Sequence, residues 1–479
     1  MESYDLLVVG GGINGASVAR AAALAGHRVL LVEQGDLGHA TSSASTKLIH
    51  GGLRYLERFE FGLVRESLRE RAIMLRIAPH LVHPLEFLVP YDASLRPWPV
   101  LRAGLLLYDL LSFGGTLPRS RKIRLATKSG DGRALSYWDA RVDDARLVLL
   151  NALDAAEHGA VIAPRTRLRR AWRMGSTWRA ELMRDAGEAR EVSAAAIVNA
   201  AGPWAAQLLS EVFGREKTAP LRLVRGSHIL LPRLYPDARA RLLQQPDRRI
   251  VFLIPYEQDF TLIGTTDMPV GRPDDAAPSP TEIDYLLGAV GHYLGRTFCE
   301  ADIAWRFGGI RALHDDGSAD PSKVTRDYHL ELQGTPPLLS VFGGKVTTAR
   351  HLAEQVLRRL GLARADTAGR PLPGGDIAAL DPFTAECAGR WPFLPPPTLR
   401  RMVCAYGSRI SAVLGDAATL GDLGQDFGHG LSEREVAYLH RVEWARNAED
   451  ILWRRTKLGL RFSPDEAARL EEHVKGLSS

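Results

Sequence analysis

Tyr4-Asp5-Leu6-Leu7-Val8-Val9-Gly10-Gly11-Gly12-Ile13-Asn14-Gly15 decides the fold. Tyr4 to Val9 is a short apolar run of strand type, and it enters a G-x-G-x-x-G at Gly10. Ala16 to Ala25 then predicts a helix with Gly26 suited to its C-terminal cap, and Arg28 to Val32 predicts a second strand ending at Glu33. Each part has a mechanical role in gripping a dinucleotide. Gly10 permits the tight turn, Gly12 lets backbone approach a pyrophosphate, and Gly15 lets helix and strand pack closely. The helix N-terminus offers free N–H groups and a partial positive charge to the phosphates. Glu33, 18 residues after Gly15, is placed to accept hydrogen bonds from ribose hydroxyls. A glycine motif alone is often only a turn. In the order strand, glycines, helix, strand, acid it predicts a bound FAD or NAD.

Working outward, 479 residues exceed what one core holds, so two or three domains are expected. A hydrophobic fraction of 45% and a charged fraction of 24% describe an ordinary folded protein. The net charge of +5 is scattered and accompanies no nucleic-acid module, so it favours anionic small molecules or an anionic membrane surface. Cys299, Cys387 and Cys404 are too few and too far apart for a zinc site or a disulfide framework, which fits a reducing, cytoplasmic setting. The chain starts inside the first strand, so no signal peptide is expected, and no apolar run reaches the ~20 residues that span a bilayer.

Downstream, Asp36 to Thr46 is a Ser/Thr/Gly/Ala-rich loop, and Phe61 to Ile77 is a helix. Val100 to Phe113 is an apolar helix candidate with Arg96 and Arg102 at its start and Arg119, Arg121, Lys122 and Arg124 after it. It is either buried between domains or lies in a lipid headgroup region on basic anchors. Ala194 to Ala201 and Leu338 to Phe342 are buried strands entering Gly202-Pro203-Trp204 and Gly343-Gly344-Lys345. From Leu221 to Asp267 the pattern alternates, and Ile250 to Pro255 with Phe260 to Thr265 predict a hairpin in a separate antiparallel sheet. Val324 to Leu332 resumes strand character, and from Leu399 onward the pattern is helical, including Glu433 to Trp453.

Several stretches narrow the function. Thr41-Ser42-Ser43-Ala44-Ser45-Thr46-Lys47-Leu48-Ile49-His50-Gly51-Gly52-Leu53-Arg54-Tyr55-Leu56-Glu57 resembles the signature of FAD-dependent, quinone-linked glycerol-3-phosphate dehydrogenases. So do Arg225-Gly226-Ser227-His228, Ile263 to Asp267, Gly309-Ile310-Arg311, Thr325-Arg326-Asp327-Tyr328, Ser340 to Thr348 and Trp453 to Gly459, in the same order along the chain. Ala349 departs from a usual tyrosine and Ala312 from a common proline. The resemblance implies a Rossmann-like α/β FAD-binding domain of glutathione-reductase type from segments 1–75, 145–215 and 335–372. It also implies a mixed or antiparallel-sheet substrate cap from 76–144 and 216–334, and a helical domain over 376–479. The family oxidises sn-glycerol 3-phosphate to dihydroxyacetone phosphate and passes electrons to membrane quinone. Its members are typically homodimers bound peripherally at the inner face of the cytoplasmic membrane.

The resemblance places FAD against Gly10, Gly12, Ile13, Asn14, Gly15 and Glu33. The following segment contributes Thr41, Ser42, Ser45, Lys47, Leu48 and His50. Later turns contribute Ala201, Gly202 and Trp204, then Gly344, Lys345, Val346 and Thr347. Substrate chemistry needs cations for a phosphate, a proton acceptor and a charge to stabilise reduced flavin. Arg54 and Arg311 suit the phosphate as bidentate forks, and Tyr55 adds a hydroxyl. Lys345 sits where its ammonium and a helix N-terminus face the flavin. His50 and His228 are the candidates for the proton acceptor, since imidazole titrates near neutral pH. Rival expectations are an oxidase that reduces oxygen to peroxide, an amine or amino-acid oxidase, an NAD-linked dehydrogenase and a non-catalytic flavin sensor.

Overall fold

The computed structural model describes residues 1–479 except 113, 126–131, 186, 215–220, 248, 315–327 and 479, and excepting the side chains of Arg54, His314 and Ser478. The Thr325-Arg326-Asp327 stretch therefore lies outside the described residues.

Glu2–Val9 is the central strand of an eight-stranded sheet. It pairs in parallel with Val29–Val32 on one side and Ala189–Asn199 on the other. Val161–Ala163 and Leu338–Phe342 extend the parallel order outward. His329–Gln333 closes that edge antiparallel to Leu338–Phe342, so this strand belongs to the first sheet and not to the cap. Both faces of the central strand are buried, as parallel sheets require. Leu6 and Val8 pack with the helices, while Leu7 and Val9 pack toward Trp178, Ala180 and Leu209. The helix Ile13–Leu24 begins three residues earlier than its apolar pattern suggests, directly on Gly12. Its alanines allow close packing against Asp144–Glu157 and Ala349–Arg359. Arg20, buried in that interface, is paired with Asp154 at 2.5 Å.

A hairpin of Thr166–Met174 and Thr177–Arg184 joins the N-terminal half of Ala189–Asn199. Its many arginines hide it in the sequence. Trp178, Ala180 and Leu182 alternate inward and carry the strand signal.

The second sheet has ten strands and is mostly antiparallel. Leu221–Pro232 pairs with Phe260–Gly264 and Trp305–His314, and the predicted hairpin joins Ile250–Tyr256 to Phe260–Gly264. Ala240–Gln244 runs parallel to Val82–Pro90, which pairs with Arg133–Val142. Leu48–Ile49 ends this sheet. Residues 33–47 thus run from the first sheet to the second, and their conformation ties the two together.

Helices Leu380–Arg390, Pro396–Tyr406, Glu433–Val442 and Pro464–Ser478 enclose a third core around Met402, Tyr406, Phe427, Leu439 and Ile451. The single helix predicted over Glu433 to Trp453 is interrupted. It ends at Val442, Trp444 turns into the left-handed region at φ +55°, and a π-helical turn covers Asp450–Arg455. The break lets Glu443 meet Arg146 at 2.5 Å while Arg454 and Arg455 face Asp36. Buried tertiary ion pairs have overridden helical periodicity here.

Candidate active site

The glycine turn is built by close approach. Gly10 has φ +111°, and a Cβ there would lie 2.5 Å from the Ala200 carbonyl oxygen. A Cβ on Gly15 would lie 1.9 Å from the Gly10 oxygen, so Gly15 serves packing and does not line the cleft. Gly12 supplies no side-chain cap, and Ser42 Oγ takes that role by accepting from the Ile13 N–H at 3.0 Å. Glu33 is buried and accepts from the Gly11 and Gly35 amides at 2.7 and 2.8 Å. Its carboxylate fixes the turn as well as facing the cleft.

One cleft between the two sheets gathers most of the predicted residues. Gly10, Gly12, Ile13, Asn14 and Glu33 line one end, and Thr41, Ser42, Ser45, Leu48, His50 and Tyr55 follow. Ala201, Gly202 and Trp204 line it with His228 and Arg311, and Gly344, Lys345, Val346 and Thr347 line it after the neighbouring strand. Lys47, like Gly15, is not among the residues that line it. Its ammonium turns inward, donating to Asp144 Oδ1 and the Ser43 carbonyl, each at 2.8 Å. Burial pushes the Asp144 carboxyl up, yet Lys47, Lys457 and the hydrogen bonds from Lys47 and Ser45 outweigh it and hold the group below the usual carboxylate range. Arg54 sits in the 3-10 turn Leu53–Arg58, with its side chain outside the described part.

At the cap end, Arg311 Nη1 donates to Asp267, and Nη2 donates to Thr265 Oγ1 at 3.0 Å. This aims the guanidinium and offsets part of its charge. Asp267 had no role in the sequence reading, although it ends the quoted Ile263 to Asp267 stretch. The Arg225-Gly226-Ser227-His228 string is now explicable position by position. Arg225 and Ser227 reach Glu282 at 2.6 and 2.8 Å, and a Cβ on Gly226 would lie 2.1 Å from Arg311 Nη2. His228 stacks on Phe307 and meets Thr46 Oγ1 at 2.9 Å. Burial, reinforced by Arg311 and Lys47, pulls His228 down to about 3, so the imidazole is neutral.

Lys345 follows Gly343 and Gly344, both at positive φ, and its Nζ lies 4.0 Å from the Tyr55 ring centroid. That buried nitrogen has no hydrogen-bond partner among the described residues, and neither has Asn14 Oδ1. Asn14 Nδ2 donates to the Gly343 carbonyl at 3.0 Å and locks this turn to the first helix. Beneath the Gly51-Gly52 turn, Asp139 accepts from Arg71 at 2.5 Å and from Tyr108 Oη at 2.8 Å, while Tyr108 Oη accepts from the Gly51 N–H at 2.8 Å. The only sequence signal for this network was a carboxylate inside an apolar strand.

A two-sheet flavin-type cleft with glycine cradles on three strands defines the class, and the comparisons agree: the chain belongs to the FAD dependent oxidoreductase family, whose model matches residues 5–350. Residues 365–476 match the C-terminal domain of alpha-glycerophosphate oxidase. The chain is 47% identical to a glycerol-3-phosphate dehydrogenase of Pseudomonas aeruginosa, over 99% of this chain and 95% of that one. It is 44% identical to a D-erythritol 1-phosphate dehydrogenase of Brucella abortus, over 98% and 97%. The glycerol-3-phosphate dehydrogenase of Bacillus halodurans, solved with FAD, superposes with a TM-score of 0.74 at 25% identity, covering 99% and 94%.

The chain is an FAD protein, and its residues fit that group. Gly10 and Gly12 leave a cradle bare of side chains, while Asn14 Oδ1 and Lys345 Nζ are buried polar atoms awaiting partners.

Proposed function

We propose that this enzyme oxidises sn-glycerol 3-phosphate to dihydroxyacetone phosphate and delivers the electrons to a membrane quinone. The observation that carries the reading is the buried ammonium of Lys345, without a hydrogen-bond partner among the described residues, in the same cleft as the Arg311 guanidinium. Two fixed cations beside an FAD cradle suit an anionic, oxidisable substrate, and full-length relatives bear the name glycerol-3-phosphate dehydrogenase.

FAD, when bound, supplies the two-electron acceptor. The chain supplies the rest. Arg311, aimed by Asp267 and Thr265, binds the phosphate together with Arg54, and Tyr55 adds a hydroxyl donor. The C2 hydroxyl gives its proton to an imidazole nitrogen of His50 or His228. A phosphate dianion between His228 and Arg311 would offset the cationic repulsion on that imidazole and raise its basicity. Lys345, at the mouth of the helix Ala349–Arg359, provides positive charge where the reduced cofactor becomes anionic.

Peripheral attachment at the inner face of the cytoplasmic membrane is supported by the helix Trp98–Leu111. Its Val100, Leu106 and Leu110 are exposed, as are Phe59 and Phe61 of the adjoining turn, with Arg121, Lys122 and Arg124 in a following strand. No described helix is long and apolar enough to cross a membrane. The match of residues 365–476 to an oxidase domain favours a second reading, oxygen as acceptor. Steady-state turnover of sn-glycerol 3-phosphate with a short-chain quinone, with peroxide monitored in parallel, tests both. Quinone reduction without stoichiometric peroxide supports the first reading. Equal turnover with oxygen alone, yielding peroxide, replaces it with the second.

A further inference from the structure

Residues 33–47 form one wall of the FAD cleft, contributing Gly38, His39, Thr41, Ser42, Ser45 and Thr46. Such an irregular segment needs outside support to keep one shape. Its first end is held directly by Arg454 and Arg455 of the C-terminal helical region, and its far end is held by Asp144, whose neighbour Asp143 faces Lys457 of the same region.

At the first end, the buried Asp36 carboxylate receives Arg454 Nε at 2.5 Å and Arg455 Nη2 at 2.8 Å, with Arg455 Nη1 on the same oxygen as Arg454. Burial raises the Asp36 carboxyl, but the two guanidiniums prevail and hold it below the usual carboxylate range. The backbone beside it is fixed from the same source. The Arg165 N–H donates to the Gly35 carbonyl at 2.9 Å, and the Arg165 side chain meets Asp450 at 2.7 Å. At the far end, Asp144 accepts from Ser45 Oγ at 2.7 Å and from Lys47 at 2.8 Å. The neighbouring Asp143 faces Lys457 Nζ at 3.5 Å, and Lys457 also donates to the Trp453 carbonyl at 2.8 Å.

A third contact reaches the cap. The Trp453 ring stacks on Trp305 with centroids 4.0 Å apart. Trp305 opens the strand Trp305–His314, whose Ile310 carbonyl accepts from Thr41 Oγ1 at 2.8 Å. The same strand carries Arg311. The Trp453–Lys457 stretch therefore meets Asp36 at the start of the loop, Asp143 beside the residue that holds the loop's end, and the first residue of the cap strand. The π-helical winding of Asp450–Arg455 turns consecutive arginines onto one carboxylate, and such turns are concentrated at functional sites.

We propose that Trp453–Lys457 is a cofactor clasp: Asp36, Arg454, Arg455 and Lys457 are positioning residues that hold residues 33–47 closed over bound FAD. This is independent of which alcohol the enzyme oxidises or which acceptor it reduces.

The test follows flavin fluorescence appearing when holoenzyme is diluted, alongside the melting temperature, for Asp36→Asn, Arg455→Met and Lys457→Met. Arg401→Met serves as a control, because Arg401 and Glu435 form a buried pair at 2.6 Å within the helical region, away from the loop. The clasp variants should release flavin about tenfold faster or more, the scale on which losing an outer support weakens a bound group. Arg401→Met should lower the melting temperature with flavin release unchanged. Clasp variants that release flavin within about twofold of wild type would overturn the proposal, whatever their melting temperature. Should Asp36→Asn or Arg455→Met fail to fold, Lys457→Met and Trp453→Leu decide by the same criterion, since neither strips a partner from Asp36.

Discussion

Replacing Gly226 by alanine should separate substrate binding from folding. Gly226 lies inside Leu221–Pro232 and is not at positive φ, so alanine suits its backbone. The added methyl, however, would stand 2.1 Å from Arg311 Nη2 and 2.7 Å from Thr265 Oγ1. The guanidinium tip must move, which breaks its 3.0 Å bond to Thr265 and shifts it from the phosphate position. Hydrogen bonds to a charged group contribute ~1.5–3 kcal/mol, and the far end of a side chain relaxes without disturbing the core. The expected result is a fall in kcat/KM for sn-glycerol 3-phosphate of about 10- to 150-fold, carried mainly by KM. Stability should change by less than ~1 kcal/mol, because alanine also restricts the unfolded chain. In an Arg311→Lys background the same alanine should cost less, since the 2.1 Å collision with the guanidinium is gone and only that with Thr265 Oγ1 remains. The assay is initial rates under saturating acceptor, paired with urea melts. A kcat/KM within about twofold of wild type would refute the placement of Arg311 as a substrate contact.

Lys345→Met removes a buried ammonium that lacks a hydrogen-bond partner among the described residues. The apoprotein should gain ~1–3 kcal/mol in urea melts while the rate of flavin reduction falls at least ~100-fold; a less stable apoprotein would contradict the assignment. Burial takes His80, His83 and His228 from 6.5 down to about 3. The unfolded chain then binds protons below pH 6.5 that the folded chain refuses, so stability should fall as pH drops from 6.5 toward 3, by ~1.4 kcal/mol per pH unit for each group. His80→Leu should remove about one third of that slope in urea melts across the window. Leu106→Asp with Leu110→Asp should abolish co-sedimentation with anionic vesicles and leave turnover with a soluble acceptor intact; retained sedimentation would move the docking face elsewhere.

The sequence was most informative where local constraint is strict. The glycine turn at Gly10 to Gly15 and the apolar strand Leu338–Phe342 can be read because backbone approach and two-sided burial leave few residue choices. What stayed hidden is tertiary. Lys47 lies within a stretch read as cofactor-binding, yet its ammonium serves Asp144, a partner 97 positions away that no spacing rule reveals. The helix expected through Trp453 is broken because Glu443 and Arg455 must meet partners from the first sheet's helices and loops. Asp139, which holds the Gly51 turn, lies in no quoted stretch, and Asp267 ends one without its spacing revealing that it aims Arg311. The cleft was legible as a set of cations and glycines, and its carboxylate supports became visible only once the sheets brought them together.

The most direct test is an anaerobic visible spectrum of the purified protein before and after sn-glycerol 3-phosphate, with D-erythritol 1-phosphate and an amino acid as comparisons. The account predicts a bound yellow flavin bleached by sn-glycerol 3-phosphate and untouched by the amino acid. A flavin that stays oxidised with sn-glycerol 3-phosphate, or bleaches only with one of the comparison compounds, would contradict it.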